Sequence, residues 1–305
     1  MTSYKHPDIF TMIDGVRSLP GLSSTWFGYL KTLPVKADRD VFIVSYPKSG
    51  TSWTSEIMWQ IYHEGKIDYN SIHNRVPYTE STPLEHNLDT NEKLVEFFLN
   101  HPQPRIFKFH LPYHQVPMGD DADDKPKYIY VLRNPKDVAV SFYYHYKGFK
   151  IFGFADRTWD EFFEMFINDQ VLYGSWFDHV LGWWAHRDDS NILILKYEDM
   201  KMNLVDTIKK IAEFLGKEIS PDLVNRIADQ TTFAAMAGEN SKGRYFDDEE
   251  IEAKWRVPGA VKFMRKGEIG DWRNYFTEEQ NKRFDDLYEK RMAGSGLTFP
   301  LAAKI

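Results

Sequence analysis

The segment 41–53, with the sequence VFIVSYPKSGTSW, restricts the fold of this chain more than any other stretch. It is typical of a buried strand, a short turn and the start of a helix, and the turn carries one lysine and three hydroxyl side chains. The free N–H groups of a helix N-terminus carry roughly half a positive charge, so a phosphate binds there with little rearrangement. The P-loop pattern GxxxxGK(S/T) has its lysine after the second glycine, whereas Lys48 precedes Gly50. The segment therefore predicts a phosphate site unlike that of an ordinary ATPase or GTPase.

Size and composition indicate a globular protein without a membrane segment. The chain has 305 residues, of which 42% are hydrophobic and 27% charged. Its longest apolar runs are shorter than the roughly 18 residues needed to span a bilayer. The chain has no cysteine, which excludes disulfides, thiolate nucleophiles and cysteine metal sites. The first residues show no signal pattern, so we predict a cytoplasmic protein, and the net charge of −7 argues against a nucleic-acid partner.

Short apolar runs alternate with helical patterns along the chain. The predicted strands are 41–45, 105–110, 128–133 and 191–196. Helices are predicted after the first strand, from Pro135 onward, and over 204–215 before Gly216. This alternation predicts an α/β fold: a single domain over residues 1–305 with a central parallel sheet flanked by helices.

Several polar residues close or directly follow these strands. They are the turn 48–53, His110, Arg133 and Tyr197. Because ligands bind beyond the carboxyl ends of parallel strands, we expect these residues to meet at one rim of the sheet. An imidazole with an unperturbed pKa near 6.5 is suited to take a proton from a hydroxyl at neutral pH, which makes His110 a candidate general base.

Two further groups of residues predict a second phosphate site. Arg133 is followed eight residues later by Ser141, and a guanidinium binds phosphate oxygens through two parallel hydrogen bonds. Arg265 and Lys266 stand beside Gly267 in the segment 239–271, which is rich in charge and glycine. We expect that segment to form a mobile cover over a bound nucleotide.

Three motifs give the chain a family resemblance. They are YPKSGTSW at 46–53, YVLRNPKDVAVS at 130–141 and RKGEIGDW at 265–272, and YGSW at 173–176 and YEDM at 197–200 are lesser matches. Over nearly its whole length the chain resembles the cytosolic sulfotransferases. The resemblance implies transfer of a sulfuryl group from 3′-phosphoadenosine 5′-phosphosulfate (PAPS) to a hydroxyl or amine of a small acceptor such as a phenol, alcohol or steroid. The product nucleotide would be 3′-phosphoadenosine 5′-phosphate (PAP).

The resemblance also implies roles for individual residues. Those for the donor's 5′-phosphosulfate are Lys48, Ser49, Gly50, Thr51, Ser52 and Trp53; those for its 3′-phosphate are Arg133, Ser141, Arg265, Lys266 and Gly267. Trp53 and Phe233 would sandwich the adenine, with Tyr197 and Thr231 nearby. His110 would deprotonate the acceptor, Lys48 and Lys108 would stabilise charge on the transferring group, and Ser141 would restrain Lys48 until the acceptor arrives. Sulfuryl transfer needs an in-line nucleophile and well-placed cations, so no metal is predicted.

Some positions differ from the family pattern. Tyr78 and His145 stand where phenol-preferring relatives carry phenylalanines, which predicts an acceptor pocket that is more polar than theirs. Arg273, Glu278 and Lys282 replace residues of the usual dimer motif, so the chain is expected to be a monomer or a dimer of another kind.

Three alternatives remain open from the sequence. The chain could be a kinase-like nucleoside-triphosphate enzyme, which would require a metal ion. It could be a nucleotide-binding protein without catalytic activity. It could also sulfate an alcohol and then eliminate sulfate, which gives a net dehydration.

Overall fold

A four-stranded parallel sheet forms the centre of the fold. The computed structural model describes residues 9–82, 86, 88–119, 124–238, 244–245 and 253–299. A short antiparallel hairpin, β1 (Thr11–Ile13) and β2 (Val16–Ser18), precedes the sheet. The sheet strands are β3 (Asp40–Ser45), β4 (Arg105–Phe109), β5 (Lys127–Leu132) and β6 (Ile192–Lys196). They lie in the order β4-β3-β5-β6, and every neighbouring pair is parallel. The predicted parallel α/β fold is thus confirmed, with strand bounds that differ by one residue at most ends.

Helices connect and cover these strands. The longer ones are α1 (Ser24–Lys31), α2 (Thr51–Tyr62), α4 (Asn91–Asn100), α5 (Pro135–Gly148), α6 (Trp159–Ile167), α7 (Trp176–Trp184), α9 (Leu204–Leu215), α10 (Pro221–Gln230) and α12 (Glu278–Met292). The shorter ones are α3 (Ile72–Arg75), α8 (Tyr197–Met202) and α11 (Phe233–Ala237). Helix α9 has the predicted bounds, and Gly216 ends it in a left-handed conformation with φ 68°.

The two faces of the sheet bury separate hydrophobic clusters. Val41 and Ile43 of β3 point to one face, where they pack with apolar residues of α2, α9 and α10. Phe42 and Val44 point to the other face, where they pack with residues of α5, α6 and α7. Successive side chains of a strand alternate between faces, so a strand covered on both sides reads as a continuous apolar run. Every residue of β3 is accordingly buried.

Part of the predicted mobile cover lies outside the residues that the structure describes. The predicted cover, residues 239–271, is described at 244–245 and from 253 onward, and the rest of it lies outside the described residues. In the part of the chain that the structure describes, no helix combines the length and apolar character that a membrane span requires.

Candidate functional site

A cavity of about 300 Å³ opens at the carboxyl ends of the sheet strands. Its walls include the turn after β3, the end of β4 and the residues that follow β5 and β6. Every site residue predicted from the sequence lines this cavity except Ser49. Ser49 is buried beside it, and its hydroxyl has no hydrogen-bond partner among the described residues. The structure therefore brings the predicted nucleotide, acceptor and catalytic residues into one space.

The turn between β3 and α2 presents backbone N–H groups to the cavity. The first intrahelical bond of α2 runs from Thr54 N to Gly50 O, so the preceding amides from Thr51 to Trp53 have no acceptor within the helix. Gly50 adopts φ 117°, and a β-carbon there would come within 3.0 Å of the Tyr197 ring. The backbone conformation favours glycine at this position, and the tight contact with the Tyr197 ring adds to the strain of any larger residue. Free amides at a helix N-terminus form an anion site.

Lys48 is a buried cation in this turn. It adopts a left-handed conformation, with φ 69°, and its Nζ lies 4.1 Å from the centre of the Phe263 ring. Burial, followed by repulsion from Arg256, Arg133 and Arg265, lowers the pKa of Lys48 to about 7. An anion bound beside Lys48 would offset both effects and favour its charged form.

Arg133 joins the turn to the segment that contains Arg265. Its Nη1 donates to the carbonyl of Lys48 at 3.0 Å, and its Nη2 donates to the carbonyl of Glu268 at 3.2 Å. The buried Nε of Arg133 has no partner among the described residues. Its guanidinium also stacks on Tyr197, with 4.3 Å between Cζ and the ring centre. Each Nη atom keeps a second N–H that these hydrogen bonds do not use, and Arg133 lines the cavity, so it can donate to a phosphate there.

Arg265 and Lys266 are both paired with Asp271. The distances are 2.5 Å from Arg265 Nη2 and 2.7 Å from Lys266 Nζ to the carboxylate. The 3₁₀ turn at Asp271–Asn274 is itself held by Asp137 of α5, which accepts hydrogen bonds from the N–H groups of Gly270 and Trp272. One carboxylate thus orients two cations toward the cavity that Arg133 also lines.

An aromatic region occupies the nucleotide end of the cavity. Trp53 donates from Nε1 to the carbonyl of Thr231 at 2.7 Å, and its ring lies 5.4 Å from that of Tyr197. Phe233 begins α11 and packs against Gly267, where any β-carbon would overlap the Phe233 ring. Flat rings on the wall of a cavity suit the face of a base.

His110 is held in one tautomer at the end of β4. Its Nδ1 lies 2.7 Å from the carbonyl oxygen of Ser45, which can only accept a hydrogen bond. Nδ1 therefore carries the proton, and Nε2 keeps a lone pair. Burial lowers the pKa of His110 to about 3, an effect that the Ser45 hydrogen bond opposes. The ring is neutral near pH 7 and is a proton acceptor.

Glu80 is a buried carboxyl group that the sequence analysis missed, and it holds the main chain of His110 in place. Glu80 Oε1 accepts hydrogen bonds from the backbone N–H of His110 at 2.5 Å and from the Tyr173 hydroxyl at 3.3 Å. The hydroxyls of Tyr78 and Tyr173 bond to each other, and both rings lie against that of His110. Burial raises the pKa of Glu80 to about 8. Nothing in the pattern around Glu80 signals this role, because Tyr173 is far away in the sequence.

An isolated β-bridge at the β4 edge of the sheet brings Lys108 and Tyr78 together. Residue 78 pairs with residue 108 in parallel, and Lys108 N donates to the carbonyl of Pro77 at 3.0 Å. Lys108 is 4% exposed and lines the cavity beside His110. This location agrees with contact to a transferring group.

The predicted restraint of Lys48 by Ser141 has no matching contact. Ser141 lines the cavity, but no hydrogen bond joins it to Lys48 within the described ranges. The role therefore stays a prediction. Among the described residues there is also no group of three or more histidine or acidic side chains placed to hold a metal ion.

Comparison with known proteins identifies the family. The model of the sulfotransferase domain matches residues 38–296. Sulfotransferase 1A1 of the mouse (Mus musculus) is 42% identical over 263 residues, which cover 85% of this chain and 87% of that protein. Sulfotransferase 1C2 of the rat (Rattus norvegicus) is 38% identical over 275 residues, which cover 88% of each chain. The crystal structure of mouse sulfotransferase SULT7A1 complexed with PAP has a TM-score of 0.75 at 32% identity, covering 94% of this chain and 96% of that one. This chain belongs to the sulfotransferase family and is a sulfotransferase.

Proposed function

We propose that this sulfotransferase moves a sulfuryl group from PAPS to a hydroxyl of a small acceptor, with His110 as general base. The observation that carries the proposal is the lone pair on His110 Nε2 in the cavity that also contains Lys48 and Lys108. Two cations beside a neutral base are what in-line sulfuryl transfer requires.

The cavity residues fit a nucleotide with two anionic ends. The free amides of Thr51 to Trp53 and the Lys48 ammonium suit a 5′-phosphosulfate, which supplies the sulfuryl group when PAPS is bound. Arg133, Arg265 and Lys266 suit a 3′-phosphate, because Arg133 keeps N–H groups that its own hydrogen bonds do not use and Asp271 holds the other two in place. Trp53 and Phe233 supply flat surfaces for adenine.

His110 takes the acceptor proton on Nε2 while Nδ1 stays bonded to the Ser45 carbonyl. Lys48 and Lys108 stabilise negative charge on the oxygens of the transferring group and on the leaving phosphate. The Glu80 carboxyl and the two tyrosines keep the His110 main chain and ring in position. Incubation with PAPS and a panel of hydroxyl compounds tests the activity, and sulfated products distinguish transfer from net dehydration. Turnover that needs ATP and magnesium instead would contradict it.

We predict that PAP stabilises the protein far more than ADP does, because ADP has no 3′-phosphate for Arg133, Arg265 and Lys266. A ligand at about 100 times its dissociation constant adds roughly 2.7 kcal/mol, which is a few degrees in melting temperature. Thermal unfolding with each nucleotide measures the difference. The matched variant Arg265→Met should lose most of the PAP advantage. Equal shifts with both nucleotides would remove the 3′-phosphate site from the proposal.

We predict that PAP binding takes up a proton at about pH 8. Free Lys48, with its pKa lowered to about 7, is then mostly neutral, and a bound phosphate raises that pKa and restores the charge. Affinity should accordingly fall as pH rises above 7. Titration calorimetry in buffers of different ionisation enthalpy should report close to one proton per site, and Lys48→Met should take up almost none. Binding without proton uptake in the unmodified protein would show that Lys48 is already charged.

We also propose that the protein is cytoplasmic, and that it is a monomer or a dimer of another kind than the usual family dimer. Lys282 pairs with Asp286 of its own helix at 2.7 Å, and Arg273 stacks on Trp272. These intrachain contacts, and the exposed Glu278, favour a monomer or a dimer of another kind. The molecular mass in solution decides between a monomer and a dimer.

A further inference from the structure

His145 gives the acceptor end of the cavity an unusual polar group. It lies one helical turn after Ser141 on α5, and both residues line the cavity. Its buried Nδ1 has no hydrogen-bond partner among the described residues. The residue as a whole is only partly buried, so a polar atom of a ligand in the cavity can reach the imidazole and supply a hydrogen bond that the surrounding protein does not.

The neighbours of His145 are aromatic. Its ring centre lies 4.4 Å from that of Phe149, 5.5 Å from Phe152, 6.0 Å from Phe142 and 6.2 Å from Phe263. None of these phenylalanine side chains can accept or donate a conventional hydrogen bond. Flat apolar walls select a planar, apolar body, and the imidazole is the polar point within them.

The charges around His145 are positive. Burial, with repulsion from Lys48 and Arg256, lowers the pKa of His145 well below its usual value, so the ring is neutral with one donor and one acceptor nitrogen. The charged side chains that line the cavity are all cationic among the described residues. Glu80, which lies behind Tyr173, is mostly protonated at neutral pH because burial raises its pKa to about 8. An ammonium group in the acceptor would therefore meet cations without a carboxylate to pair with.

We propose that the acceptor is an uncharged, planar compound that carries, besides the hydroxyl to be sulfated, a second polar group that hydrogen-bonds to the His145 ring. His145 is then a specificity-determining residue. The inference rests on the proposed function, because it places the sulfated hydroxyl at His110. Lys48 and His145 both lie against the Phe263 ring, so the second group binds close to the site of transfer.

Three kinds of acceptor separate these requirements. They are 2-naphthol, the 2,6- and 2,7-dihydroxynaphthalenes, and 6-aminomethyl-2-naphthol. We expect the better dihydroxynaphthalene to exceed 2-naphthol in kcat/KM by about 10- to 100-fold after correction for its two equivalent hydroxyls, because its second hydroxyl pairs with His145. The aminomethyl compound, whose ammonium is repelled, should be the poorest of the set.

Substitution of His145 isolates its part in this preference. His145→Phe should remove the advantage of the dihydroxy compound and leave 2-naphthol equal or better, whereas His145→Gln, which keeps a donor and an acceptor, should retain part of it. His63→Phe is the matched control, since His63 stacks on Trp59 outside the cavity and its loss should leave the preference unchanged. The PAP-induced thermal shift should be the same in all variants, which excludes a damaged donor site.

Each outcome decides one of the two proposals. Sulfation of 2-naphthol without a preference for the dihydroxy compounds, or a preference that survives in His145→Phe, overturns the role of His145 and leaves the sulfotransferase activity intact. Preference for the aminomethyl compound overturns the requirement for an uncharged acceptor. Failure to transfer from PAPS to any compound of a wider hydroxyl panel overturns the proposed function, and the acceptor class with it.

Discussion

The variant His110→Ala should turn over acceptor about 100- to 10,000-fold more slowly, the range expected when a general base is removed. In the protein, the Ser45 carbonyl fixes the proton on Nδ1 and leaves Nε2 as the basic atom, so no other nitrogen of the ring can substitute for it. Single-turnover measurement of sulfated product, with PAPS in excess over its dissociation constant, reports this step directly. PAP affinity should change little, because the nucleotide residues belong to other elements.

The variant His110→Asn is the matched control for this prediction. Its side-chain amide can still donate to the Ser45 carbonyl, but it has no basic lone pair where Nε2 stood. Equal losses in both variants indicate proton transfer, whereas recovery in His110→Asn indicates that the residue acts by position alone. Full activity in both would refute the assignment of the base.

The acidic side of the pH profile tests the same residue in the unmodified protein. Burial lowers the pKa of His110 to about 3, so the ring stays neutral well below the usual histidine pKa of about 6.5. The kcat/KM of the free enzyme should not fall with an apparent pKa near 6.5 as the pH is lowered. A fall at that value that His110→Asn abolishes would show that the imidazole is less buried in solution.

Local sequence patterns predicted most of the fold and the rim of the site. Continuous apolar runs marked the strands because strands covered on both faces have no polar side. The carboxyl-end rule then grouped Lys48, His110, Arg133 and Tyr197, which do line one cavity. The family resemblance supplied the remaining nucleotide residues, of which Thr231 and Phe233 lie outside the quoted motifs. The roles of these residues stay predictions until variants are measured.

The parts that the sequence could not predict depend on long-range contacts. Glu80 has no pattern that marks it as a buried group, and its partner Tyr173 lies 93 residues away. Tyr173 itself adopts φ 66°, a left-handed conformation that is rare for an aromatic residue, and the YGSW match at 173–176 did not indicate it. In each case the tertiary packing decides the role.

The role of Glu56 also depends on long-range contacts that the sequence did not predict. We expect Glu56→Ala to destabilise the protein strongly. Its carboxylate is fully buried and accepts from Arg75 at 2.8 Å and from Arg244 at 2.6 Å. Removing one partner of a buried ion pair costs about 3–5 kcal/mol, and here two guanidinium groups would lose their anion. At roughly 2–4 °C per kcal/mol, the melting temperature should fall by about 6–20 °C. Thermal and denaturant unfolding measure this loss.

The variants Glu56→Gln and Arg244→Met separate the loss of the negative charge from the loss of one of the two ion pairs. Gln keeps an acceptor oxygen but leaves two positive charges without a counterion, so it should be nearly as damaging as Ala. Arg244→Met leaves Glu56 paired with Arg75 and should cost less. If Glu56→Ala lowers the free energy of unfolding by under 1 kcal/mol, water must reach Glu56, Arg75 and Arg244. That result would refute the large contribution of these ion pairs to stability. Helix α2 carries Glu56 about one turn after its free N-terminal amides. Because those amides form the proposed anion site, loss of the Glu56 ion pairs should also weaken PAP binding.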